Sequence, residues 1–234
     1  MTESTGIYIH IPFCASKCAY CDFVSFAGRE NRISSYFEAL LNEINSYDFS
    51  GAVNSVYIGG GTPSFVDEKY IARLMSALGK RFSLAEDCEI SVESNPNSLT
   101  YGKLLSFKNC GINRLSMGVQ SADDSVLKLI GRTHNQADSL KALEAIHRAG
   151  MVNFNLDIMF SLPGQSIASF RDSLKFAMES GAKHISCYGL SVEENTPLYD
   201  LYEKGVFSQN DETDRIMYHT AADMLSGAGF ERYA

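Results

Sequence analysis

No stretch of this 234-residue chain approaches the roughly 18 consecutive apolar residues that a membrane-spanning helix needs; its longest apolar runs are strand-sized. The N-terminal residues MTESTGIYIHI carry neither the basic segment nor the apolar core of a signal peptide. Basic clusters are missing too. Lys and Arg total 20 against 28 Asp and Glu, and the formal charge of −8 leaves no positive field with which to hold nucleic acid. There is no heptad array, linker, low-complexity run or charge block. Neither GxGxxG nor GxxxxGK[ST] occurs, so dinucleotide and P-loop readings have no motif support. These absences lead us to expect a cytoplasmic protein with no transmembrane segment and no nucleic-acid partner.

Hydrophobic residues make up 45% and charged residues 21%, ordinary usage for a globular chain. At this length roughly 70% of the unfolded surface can be buried, so no disulfide staple is required. Strand candidates lie at 7–11, 53–58, 89–92, 115–119, 154–160 and 184–190. Helical periodicity fills the gaps between them. One stripe runs from Ile33 through Phe37, Leu40 and Ile44 to Tyr47, and others run over Tyr70–Leu78, Leu140–Ile146, Ile167–Met178 and Ile216–Leu225, with a weaker one near Leu127. Gly79, Gly150 and Gly181 are placed where left-handed C-caps would stop helices. Strands alternating with helices predict an all-parallel α/β sheet, either an open barrel or a doubly wound sheet. The ending GFERYA follows a helix and a Gly, and Phe230–Tyr233 reads as the start of a further strand.

Six cysteines are present, three of them crowded as Cys14-Ala-Ser-Lys-Cys18-Ala-Tyr-Cys21 just after the first strand. Crowded thiols read as a metal site before they read as bridges. Thiolate suits iron–sulfur clusters, zinc or copper(I). Structural zinc asks for four protein ligands, and no fourth Cys follows. His10 precedes the triplet by four residues and can simply support it. Three ligands on a four-iron cluster would leave one iron open to a small chelator. Cys88, Cys110 and Cys187 read as small core residues, with Cys187 the one able to face a cavity. His134 and His147 read as solvent-facing or locally bonded.

Gly59-Gly60-Gly61-Thr62-Pro63 follows the second strand directly. Residues without side chains let the backbone approach a ligand closely, and Pro63 holds Thr62 extended. Polar residues stand at or within other strands: Glu93 in ESNPN, Gln120 after LSMGV, Asp157 inside FNLDIMF, and Arg132 in GRTH. Taken singly, each has an ordinary reading as a cap, an interior network or a surface charge. Parallel barrels collect their active sites at the C-terminal ends of strands, where most of these residues fall.

The segment YIHIPFCASKCAYCDF together with GGGTPS resembles the radical S-adenosylmethionine (SAM) superfamily. More narrowly, it resembles the branch containing oxygen-independent coproporphyrinogen III oxidases and HemW heme chaperones. The likeness runs from Ile7 to about Tyr233. It implies an open, partial (β/α)6 TIM-like barrel over residues 1–234. It also implies a [4Fe-4S] cluster on Cys14, Cys18 and Cys21 whose unique iron is chelated by SAM. By the same resemblance, Gly60, Gly61 and Thr62 meet the amino end of SAM, and Glu93, Gln120, Arg132 and Asp157 meet its polar end and ribose. Tyr8 and Tyr20 flank ligand and cluster, and Leu162-Pro163-Gly164-Gln165 is a loop of the same branch.

Oxidase and chaperone share these residues. The oxidase extends its cluster motif with a further Cys, whereas this chain has Cys21-Asp-Phe23, as the chaperones do. Resemblance to the chaperones implies heme binding and transfer to acceptor proteins such as respiratory enzymes, with an electron donor unnamed. Resemblance to the oxidases implies reductive cleavage of SAM and decarboxylation of porphyrinogen propionates. A non-catalytic iron–sulfur electron-transfer protein is the reading of a different class, and it leaves GGGTP unexplained. The chaperones carry a heme-handling C-terminal domain with a His-Asn-x-x-Tyr motif. The local His134-Asn135-Gln136-Ala137-Asp138 is not that motif, having Asp where Tyr belongs; from the abrupt GFERYA ending we expect the C-terminal heme-handling domain to be absent from residues 1–234 and heme to be handled poorly.

Overall fold

The protein is represented by a computed structural model, which describes residues 5–233. Six parallel strands follow one another in chain order across a single sheet. They are β1 (Thr5–Ile11), β2 (Ala52–Gly60), β3 (Ser83–Ser94), β4 (Arg114–Gln120), β5 (Phe154–Phe160) and β6 (His184–Gly189). The crossovers carry α1 (Ile33–Ser46), α2 (Glu68–Arg81), α3 (Tyr101–Asn109), α4 (Asp124–Leu129) with α5 (Gln136–Arg148), and α6 (Ile167–Glu179). After β6 come α7 (Pro197–Glu203) and α8 (Asp211–Gly227). This is the open (β/α)6 arrangement, not a doubly wound sheet. Among the described residues no helix is long and apolar enough to cross a membrane.

One face of the sheet supplies the core. Ile9, Ile11, Val56, Ile58, Val92, Leu115, Leu156 and Ile158 lie under Phe37, Leu74, Leu78, Phe107, Ile146, Phe170 and Leu174 of the helices. Parallel strands covered on both faces usually read as unbroken apolar runs. Here they alternate instead, with Tyr8 and His10 on β1, Ser91 and Glu93 on β3, Asn155 and Asp157 on β5, and Ser186 and Tyr188 on β6. The second face is therefore a polar lumen.

The structure departs from the sequence reading at several points. Gly79 does not cap a helix: α2 continues to Arg81 and ends where Phe82 turns extended, held by the Phe82 N–H on Leu78. Gly150 and Gly181 do adopt left-handed φ values of 64° and 80°. Of the stripe on α5, Leu143 and Ile146 are buried as expected, whereas Leu140 is 54% exposed and Ala142 takes its place against the core. Phe230–Tyr233 form no strand. Helices α3 and α7 were not anticipated. Each starts at a threonine, Thr100 or Thr196, whose hydroxyl accepts an N–H of the first turn, and α7 then has Pro197 where a missing N–H costs nothing. Asn135 and Asp138 cap the N-terminus of α5 reciprocally, which gives Asp138 a structural reason to be there.

Candidate cofactor site

The three-thiol loop is pinned from several sides. As β2 ends, the Gly61 N–H donates to Ile11 O (2.9 Å) and the Thr62 N–H to Phe13 O (2.8 Å), fastening the glycine turn to the chain that enters the loop. Phe13–Cys14 pair briefly with Phe26–Ala27. Behind the loop, the Ala19 N–H donates to Ile130 O (3.0 Å) and Ala19 O accepts from Leu198 N–H (2.9 Å), so the ends of α4 and α7 grip it together. These helices share a second apolar cluster containing Leu127, Leu162 and Leu198, on which Tyr20 packs. His10 supports the loop, with Nε2 bonded to Val24 O at 2.7 Å.

All six cysteines are free, and Cys14, Cys18 and Cys21 open on one cavity of about 840 Å³. Thr62 Oγ1 lies 3.5 Å from Cys14 Sγ, and Arg132 Nη1 lies 3.5 Å from Cys18 Sγ. Burial pushes the Cys21 thiol above its ordinary range, opposed in part by a backbone hydrogen bond at Phe23. Among the described residues no three His, Cys, Asp or Glu side chains are grouped to hold a single metal ion. In a four-iron cube each thiolate takes its own iron, so three soft donors around a roomy cavity fit that group. Gly61 completes the cradle: a Cβ there would lie 3.0 Å from Cys14 Sγ and 2.8 Å from Phe13 O. Gly60 adopts φ 116°, a conformation that a residue with a side chain rarely takes.

A polar wall faces the thiols. Glu93 accepts from Gly60 N–H (2.9 Å) on one oxygen and from Tyr57 OH (2.8 Å) on the other. Burial, with Glu93 adjacent, raises the Tyr57 phenol far above its usual range. Arg132 Nη2 donates to Asn95 Oδ1 (2.7 Å) and Gly118 O (2.5 Å), while Asn95 Nδ2 donates to Thr62 Oγ1 (3.1 Å). Asn95 thus ties the glycine turn to the guanidinium. Gln120 holds a left-handed φ of 68° and accepts from Tyr188 OH at 3.3 Å. Such a conformation persists only where its surroundings enforce it. Burial raises the Asp157 carboxyl, while hydrogen bonds from Asn155 and Ser186 pull the other way.

His134 is buried, not solvent-facing. Its Nε2 lies 3.1 Å from Val119 O and its Nδ1 accepts from Arg132 Nε at 3.3 Å. Burial, then the charge of Arg132, lowers its pKa to about 4. His147 bonds Ser180 O, a local role. The Leu162–Gln165 loop closes on itself through Gln165, which bonds Leu162 N–H and Met159 O.

The structure brings Cys14, Cys18, Cys21, Tyr20, Gly60, Gly61, Thr62, Glu93, Gln120, Arg132 and Asp157 to one cavity. Tyr8 is not in that lining; it is 60% exposed and meets the wall by stacking on Tyr57, with ring centroids 6.2 Å apart. Cys187 faces away, into a separate hollow between β6 and α8, where burial pushes its thiol up to about 12. Cys88 is buried in the core, and Cys110 is partly buried against it. Sequence reasoning missed Tyr57, Asn95, Asn155, Ser186 and Tyr188. The period-two alternation of polar letters in these strands was the signal for most of them.

The profile of the radical SAM superfamily matches residues 8–177. The chain belongs to the radical SAM superfamily. It is similar to a heme chaperone HemW of Buchnera aphidicola, 37% identical over 233 residues, covering 97% of this chain and 61% of that protein. Heme chaperone HemW of Bacillus subtilis is 36% identical, with 97% and 61% covered. The chain thus spans about three-fifths of the length of these curated relatives. Among solved structures it resembles coproporphyrinogen III oxidase (HemN) from Escherichia coli, described as a radical SAM enzyme. That likeness has a TM-score of 0.87 at 25% identity and covers 99% of this chain and 54% of the other.

Proposed function

We propose that this chain is the cluster- and SAM-binding core of a protein that handles heme or a porphyrin. In this reading Cys14, Cys18 and Cys21 hold a [4Fe-4S] cluster. Gly60, Gly61 and Thr62 receive the amino end of SAM, with Tyr20, Glu93, Gln120, Arg132 and Asp157 around the rest and Tyr8 at the rim. When bound, the cluster supplies one electron to the sulfonium. The chain's own residues orient and shield. Glu93 is fixed by Gly60 and Tyr57, and Arg132 is fixed by Asn95 and Gly118, so neither has to reorganise when a ligand arrives. What carries the reading is the convergence of three thiols, a glycine cradle and a prearranged polar wall on one cavity.

The finer assignment is heme chaperoning, with heme passed to an acceptor protein. It is supported by identities of 36–37% to HemW proteins and by Phe23 in place of a further Cys. Oxidative decarboxylation of coproporphyrinogen III is the second reading, favoured by the 0.87 TM-score over nearly the whole chain. Anaerobic reconstitution tests the shared part: iron and sulfide should reach four of each per chain, and the cluster's spectrum should change when SAM is added. Dithionite-driven release of 5′-deoxyadenosine that depends on coproporphyrinogen III, with a vinyl product, selects the oxidase. Heme binding and transfer without such turnover selects the chaperone. A protein that takes up no iron would overturn both.

A further inference from the structure

Asp157 ends a row of hydrogen-bonded side chains that crosses the lumen faces of β4, β5 and β6. Its neighbour in the row is Asn155, which is only 2% exposed. In the parallel register Asn155 sits beside Ser116 on β4 and His184 on β6. Asn155 Nδ2 donates to Asp157 Oδ1 at 2.6 Å and to Ser116 Oγ at 2.9 Å. Its Oδ1 faces Ser186 Oγ at 3.1 Å and His184 Nδ1. His184 Nε2 in turn meets the hydroxyl of Tyr233.

Donor chemistry permits one orientation of this row. The Asp157 carboxylate can only accept, so the amide must turn its nitrogen toward it; a flipped Asn155 would set oxygen against oxygen. Oδ1 then points to β6 and accepts from Ser186 and from His184, whose Nδ1 therefore carries the hydrogen. The other nitrogen of the neutral ring accepts the Tyr233 hydroxyl. With both donors used and two donors on its oxygen, Asn155 has no alternative rotamer that satisfies its partners, and leaving a buried polar group unpaired is costly.

We propose that Asn155 is a positioning residue for the cofactor, fixing Asp157 toward SAM and held in turn by His184 and Ser186. The proposal rests on the reading of Asp157 as a SAM contact. It acts through one carboxylate oxygen: Nδ2 holds Oδ1 and so sets how the carboxylate is turned within the cavity, with the Ser186 hydroxyl also against that carboxylate.

The test is a double-mutant cycle on anaerobically reconstituted protein, measuring the dissociation constant for SAM by equilibrium dialysis together with iron and sulfide content. Asn155→Asp is nearly isosteric and puts an acceptor against Asp157. It should weaken SAM binding at least tenfold at unchanged iron content. Asn155→Ser, which removes the repulsion along with the reach, should weaken binding in the same direction by a smaller factor. In the Asp157→Asn background, Asn155→Asp should cost less than twofold more, because the carboxylate it positions is already gone. Losses that multiply in the double variant would overturn the proposal, as would an Asn155→Asp protein that binds SAM normally or loses iron. Normal SAM binding by Asp157→Asn would overturn both the positioning role and the assignment of Asp157. A defect in Asp157→Asn with none at Asn155 removes the positioning role alone.

Discussion

Replacing Gly61 with Ala adds one methyl group at the most crowded point of the cradle. The new Cβ would lie 2.8 Å from Phe13 O and 3.0 Å from both Phe13 N and Cys14 Sγ, where ordinary contact begins at 3.4 Å. Two of these three atoms are backbone held by the glycine turn itself, through Thr62 N–H on Phe13 O, so the strain cannot relax by rotating a side chain. The turn or the Cys14 segment has to move by roughly half an ångström. Overpacking of this kind costs about 1–3 kcal/mol, which in a domain of this size lowers the melting temperature by roughly 2–12 °C. Because Cys14 Sγ, a ligand in the proposed cluster site, is one of the displaced atoms, iron bound per chain after reconstitution should fall as well. Gly79→Ala is the matched control: the same methyl in an exposed helical turn with nothing within 4 Å. There the change should raise stability by about 0.5–1 kcal/mol and leave iron content alone. Thermal unfolding of the apo proteins and iron assays of the reconstituted ones read both effects. A Gly61→Ala protein as stable and as iron-replete as the parent would refute the steric reasoning.

Other substitutions separate ligands from bystanders. Alanine at Cys14, Cys18 or Cys21 should each lower bound iron and sulfide, whereas Cys88→Ala and Cys187→Ala should not; iron analysis decides. Asn95→Ala leaves an Arg132 N–H and the Thr62 hydroxyl without a shared partner and should cost about 1–3 kcal/mol in urea unfolding. His134 has a folded pKa of about 4, below the ordinary imidazole value of about 6.5. Between these values the unfolded chain binds the proton and the folded chain does not, so stability rises with pH through that window and falls as the pH drops from 6.5 toward 4. The ceiling on this loss is about 3 kcal/mol. Urea midpoints of the parent should therefore fall more steeply across this range than those of His134→Gln, and parallel slopes would refute the assignment.

The thiol loop and the glycine run were legible because their chemistry demands particular residue types at fixed local spacing. Glu93, Gln120, Arg132 and Asp157 were visible as polar letters at strand ends. Asn95 and Asn155 were not, because their partners are set by strand register and by loops 33 or more residues away, as with Thr62 and Arg132, or 29 away, as with His184. Helix α7 escaped notice because its seven residues carry too little periodicity, although a capping Thr196 followed by Pro197 marks its start. Gly79 misled because an exposed glycine late in a helix resembles a stop until φ is known. Leu140 shows that apolar spacing names a stripe without saying which edge of it faces the core.

The sheet ends at β1 on one flank and at β6 on the other, like a cask with staves left out. The residues that line the candidate cavity come from the lumen face and C-terminal ends of these strands and from the loops beyond them. Of the two edge strands, β6 sends Ser186 and Tyr188 into that lining, whereas the described residues of β1 are not among those that line it.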